Sequence, residues 1–154
     1  LARGPRVAVK RSKSLEKLLH ALDGATAEKS ALRPPLDGGF AYRFTIWTPV
    51  LDADGQVVFS PADLILITDL LTRRFGGCSA TSSDSAPPWG GAWLDETGKT
   101  IAEKHMQIVV YSRQTEEASA FFRDLKAVLE RAGNQDVVVV ERQAVDLMPS
   151  GRLH

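Results

Sequence analysis

The chain has 154 residues, 44% of them hydrophobic and 25% charged, a composition suited to one globular domain that buries roughly two-thirds of its unfolded surface. Its 19 basic and 19 acidic residues cancel, so net charge argues for neither a nucleic acid nor an anionic membrane as partner. The single cysteine, Cys78, excludes an intrachain disulfide and a multi-cysteine zinc site; together with the lack of an apolar run near the ~18 residues of a membrane helix, it leads to the expectation of a cytoplasmic protein without membrane contact.

Arg3, Arg6, Lys10, Arg11 and Lys13 all precede the first acid, Glu16. Behind this basic arm, Leu15, Leu18, Leu19 and Leu22 recur at helical spacing, with Ser14 as N-cap and Gly24 as stop. Pro34 and Pro35 end the connector that follows. The reading is therefore an arm with a short amphipathic helix and linker over residues 1–38, a compact domain over 39–148 and a tail over 149–154. The arm is expected to act as a tether or partner contact, separable from the domain.

From Phe40 the period becomes two: Phe40, Tyr42, Phe44 and Ile46 alternate with Ala41, Arg43, Thr45 and Trp47, which predicts a strand with one apolar face. "DADG" at 52–55 is a turn, and Ser60-Pro61-Ala62-Asp63 opens a helix with an N-cap, a proline at the first helical position and an acid in the first turn. Leu64, Ile67, Leu71 and Phe75 give its buried stripe, and Gly76-Gly77 its end. A short strand from Cys78, a serine/proline loop and a hairpin around "DETGK" follow, the returning strand running from Thr100 to Ser112 with Met106, Ile108 and Val110 on one face. Thr115 opens a second helix, with Ala118, Phe121, Phe122, Leu125, Val128, Leu129 and Ala132 as its stripe and Gly133 as its end. The valine run at 137–140 predicts a last strand buried on both faces.

Strand, helix, strands, helix and strand in this order define an α+β protein of the ferredoxin-like, split βαβ kind. Two helices then cover one face of an antiparallel sheet and leave the other open. If Phe44 and Ile46 face the helices, the open face carries Arg43, Thr45 and Trp47 from the first strand and Glu103, His105, Gln107 and Tyr111 from the long one. Two consequences are expected of that face: Arg43 pairs across strands with Glu103, or the same groups hold a small anionic ligand.

Glu103 and His105, two apart on a strand, place a carboxylate beside an imidazole for proton transfer. More simply, they are an exposed polar pair. Other chemistry lacks its pattern. "GGFAYRF" and "WGGAW" have neither the dinucleotide nor the phosphate-loop context, "SSDS" has no partner histidine motif, and Cys78 follows a helix C-terminus, where the dipole disfavours a thiolate. No metal or organic cofactor is expected. Trp47 and Tyr111 on central strands, with the basic arm, are the features an RNA-binding sheet would use, but the RNP pattern is absent and the domain is not basic.

"LTRRFGGCSAT", "GGAW" and "GKTIAEK" together resemble a pattern of uncharacterised small ferredoxin-like bacterial proteins: an Arg-Phe-Gly helix end, a Gly-x-Trp strand, a turn glycine and a following Glu, spanning about residues 40–146. The resemblance implies the fold and marks Trp93 and Glu103 as positions of interest, without implying an activity. The function expected is a binding or assembly module that uses the open face to pair with itself or another protein. The alternatives are acid/base chemistry on a small molecule at Glu103 and His105, and nucleic-acid binding through the arm.

Overall fold

The computed structural model describes residues 8–25, 32–81, 89–94, 96–149 and 151. Arg3 and Arg6 of the basic arm, the serine/proline stretch 82–88 and most of the tail lie outside the described residues. The elements are α1 (Ala8–Ala25), β1 (Gly39–Leu51), α2 (Pro61–Phe75), β2 (Ser79–Ala80), β3 (Trp89–Leu94), β4 (Thr100–Ser112), α3 (Glu116–Gly133) and β5 (Val139–Leu147). The described residues form an α+β protein, with an antiparallel sheet and three helices.

β1 sits at the centre of the sheet between β4 and β5, and β2 and β3 share the far edge of β4. Alternation along β1 and β4 sends Phe44, Ile46, Ile108 and Val110 into the core, where each is at most 2% exposed. There they meet Phe75 of α2 and Phe122 of α3; the Phe44 and Phe122 rings stack with centroids 3.9 Å apart. Phe40 does not join them. It lies beyond the point where β4 stops pairing with β1, and is 71% exposed.

Local chemistry sets the helix ends. Ser60 Oγ accepts from the Asp63 N–H at 3.2 Å while Asp63 Oδ2 accepts from the Ser60 N–H at 2.9 Å, a reciprocal cap that satisfies two orphan donors of α2. Gly76, with φ of 85°, terminates the helix by donating to the Thr72 carbonyl at 2.9 Å. In α3 the left-handed residue is Asn134 (φ 50°), not the expected Gly133. Gly133 is required by packing instead: a Cβ there would lie 3.0 Å from Val58 Cγ1 and from the Phe59 ring, both buried side chains.

Two expectations from the sequence are corrected. α1 begins at Ala8, six residues before the expected Ser14 cap, and it is not peripheral. It packs on α2 and α3, with Leu15, Leu19 and Leu22 in the one buried core. Burial of a leucine side chain stabilises by roughly 1.5–3 kcal/mol, so the helix contributes to the fold of the domain. Arg74, in the last turn of α2, is fully buried and reaches Asp23 of α1, with Nε 2.9 Å from Oδ1. The second correction concerns β5: it is an edge strand whose residues are mostly exposed, because it hydrogen-bonds to β1 alone; Val138, just before it, is the one deeply buried valine of the run.

Candidate functional site

All three helices share the core on one side of the sheet, and no described helix packs over the other. That open face holds Arg43, Thr45 and Trp47 on β1, flanked in register by Tyr111, Val109 and Gln107 of β4 and by Gln143, Glu141 and Val139 of β5. Trp47 and Tyr111 are half-buried, as are Arg43 and Gln107. Thr45 is buried between its larger neighbours. Side chains across the strands satisfy one another: the Trp47 indole N–H donates to Glu141 Oε1 at 2.9 Å, and the Arg43 guanidinium donates to Gln143 Oε1.

The register overturns the expected Arg43–Glu103 pair. Arg43 stands opposite Tyr111, and Glu103 lies eight residues further along β4, opposite Gly91 of β3, about 25 Å away at strand rise. Arg43 is also remote from His105, which pairs with Pro49 and Trp89. The candidate residues therefore divide into two groups. Arg43, Thr45, Trp47, Gln107 and Tyr111 form the centre of the face, and Glu103 and His105 form a separate cluster at its end. Trp93 pairs with Ile101 near the β3–β4 turn, and its side chain lies outside what is described.

The second cluster is buried, not the exposed pair expected. His105 Nε2 lies 3.5 Å from Glu103 Oε2, and the two side chains are 7% and 10% exposed. Burial pushes the Glu103 carboxyl above its ordinary value, the negative charge of Asp52 adding to the effect, and burial pushes the His105 imidazole below its own. Both shifts favour neutral forms. Glu103 Oε2 has no hydrogen-bond partner among the described residues, so the carboxylate is poorly compensated where it sits.

Sequence reading missed Asp52, Glu141 and Gln143. Asp52 was read only as part of a turn, and its Oδ1 does accept from the Asp54 and Gln56 N–H groups at 2.9 Å. Its approach to Glu103 follows from a register shift between Pro49 and Leu51 that no local pattern announces. Among the described residues, no group of three His, Cys, Asp or Glu side chains is arranged to hold a metal ion, and no helix is long and apolar enough to cross a membrane.

No family model matches the chain, and no curated protein matches it in sequence. Among solved structures it is similar to a phage SAM lyase in complex with S-methyl-5'-thioadenosine, with a TM-score of 0.46 and 18% identity over 75% of this chain and 93% of that one.

Proposed function

We propose that this chain is a ferredoxin-like assembly module of the cytoplasm that pairs with a second copy of itself through the open face of β1, β4 and β5. It would stand among the small bacterial proteins that its Arg-Phe-Gly, Gly-x-Trp and Glu pattern resembles. The observation that carries the reading is the segregation of all three helices to one side of the sheet, which leaves Trp47, Val109 and Tyr111 half-buried beside Arg43 and Glu141 on the other. Aromatic and aliphatic groups mixed with hydrogen-bonding ones are the composition of a non-obligate interface. A two-fold contact brings the same patch to both sides, and a patch with both a guanidinium and a carboxylate complements itself. Zero net charge removes the long-range repulsion between copies. The module needs no metal or organic cofactor. Light scattering after size exclusion tests the reading: a dimer that Trp47→Glu converts to a folded monomer supports it, and a wild-type monomer at high concentration rejects it.

One specific observation favours a second reading, acid/base chemistry on a small molecule. Glu103 and His105 are close, buried and shifted toward their neutral forms, as groups tuned for proton transfer are. With Arg43 remote, the anion-holding role first given to it falls away. Glu103→Gln and His105→Gln would remove such an activity by ~10²-fold or more and leave the dimer unchanged.

A further inference from the structure

A cleft of about 400 Å³ opens at the C-terminal end of α2, within the size range of small-molecule sites. It exists because three elements stop short of one another. β2 is only two residues long and pairs with Val109 and Ile108, so no β2 residue pairs with β4 beyond Val109. α2 ends at Phe75, and the left-handed Gly76 turns the chain away. On the third side, the segment at 33–36 is tied down by Arg113, whose backbone N–H donates to the Leu32 carbonyl at 3.2 Å and whose Nε donates to the Arg33 carbonyl at 3.0 Å.

The walls are largely apolar, with Phe75, Val109 and Leu36 among them, and the hydroxyl-bearing Tyr111 and Ser79 supply donors. Among the described residues no carboxylate lines the cleft, while Arg33 does. Among the described residues the Arg33 guanidinium has no ion-pair or hydrogen-bond partner. Its Nε and Cδ lie 3.7 Å from the point a Cβ on Gly76 would occupy, so the side chain rests against the helix end. There the negative end of the α2 dipole holds the cation in place without consuming its five N–H donors.

We propose that this cleft binds a small organic anion, its apolar body against Leu36 and Val109 and its carboxylate or phosphate on the Arg33 guanidinium. The other basic groove, between α3 and β5, is a poorer candidate of about 320 Å³. Its cations are already committed: Arg123 to Glu116, Lys126 to Glu130, and Arg142 to Ser119 and the Tyr42 ring. The cleft shares Val109 and Tyr111 with the open sheet face, whereas Arg33 belongs to the cleft alone.

Phenyl phosphate is the probe, followed by amide NMR of the full chain. Saturable shifts are expected at Gly76, Gly77, Cys78, Ser79 and Tyr111, with phenol, which lacks the charge, binding more weakly. Arg33→Gln, a change at an exposed side chain, should weaken binding by about ten-fold or more, the loss expected of a charge-assisted contact. Arg123→Gln should bind as wild type. Shifts that map instead around Arg142, equal binding by Arg33→Gln, or the absence of saturable shifts would each overturn the proposal.

Discussion

Glu103 Oε2 and His105 Nε2 lie 3.5 Å apart in a buried setting, and each group is shifted toward its neutral form. The two shifts act on stability with opposite signs as pH rises. Glu103 binds its proton more tightly folded than unfolded, so its contribution to stability is lost as pH rises from 4.5 through the folded value. His105 binds its proton less tightly when folded, so stability is lost as pH falls from 6.5 through its folded value. Glu103→Gln should therefore flatten the first slope and His105→Gln the second. At neutral pH Glu103→Gln should be more stable than wild type by about 1 kcal/mol, because it removes a buried charge whose oxygen lacks a donor. Denaturant melts from about pH 4 to 8, which bracket both ordinary values, check both slopes, and NMR titration should give His105 a pKa below that of a free histidine. A raised value, as an ionised Glu103 alone would produce, contradicts this account.

Asp23 and Arg74 join α1 to the rest of the domain. Arg74 is fully buried, and Asp23 Oδ1 and its carbonyl both accept from the guanidinium. Asp23→Ala would leave a buried cation short of its counter-charge and should cost about 3 kcal/mol, read from urea unfolding. Deleting residues 1–24 should abolish the cooperative melt, because it also strips Leu15, Leu19 and Leu22 from the core. A truncated chain that melts like wild type would show that α1 is the separable tether its basic sequence first suggested.

Thr48 is fully buried, and its Oγ1 has no hydrogen-bond partner among the described residues. Valine has the same shape without the hydroxyl, so Thr48→Val should stabilise by about 1 kcal/mol, measured as a higher urea midpoint at unchanged slope. A destabilised variant would mean that the hydroxyl has a partner after all.

Strand and helix identities were legible because they rest on local patterns: the alternation of Phe44 and Ile46, the Ser60-Pro61-Ala62-Asp63 start and the Gly76 stop all reappear in the structure. What escaped depended on tertiary placement. The Leu15, Leu19 and Leu22 stripe announces a helix but not that α2 and α3 bury it. The valines before β5 carry no sign that only one edge of that strand is paired. In the site, alternation put Glu103 and His105 on the same strand face as Tyr111, but only the β1–β4 register separates them from Arg43. Burial, which changes the chemistry of the Glu103 and His105 pair, is not a property of either residue's neighbours in sequence.

Whether the open sheet face joins two copies of the chain, as proposed, is read from the mass in solution of wild type against Trp47→Glu. Trp47 is half-buried in the single chain, on the face of the sheet away from the helices and the core, so the variant should stay folded. It also places a second carboxylate beside Glu141 in the patch that each copy would present to the other. The account predicts a concentration-dependent dimer for wild type by light scattering, and a monomer with a cooperative melt for Trp47→Glu, its dissociation constant raised by roughly a hundred-fold or more as for loss of an aromatic anchor. A wild-type chain that stays monomeric at the highest attainable concentration, or a Trp47→Glu chain that dimerises as tightly as wild type, would contradict it.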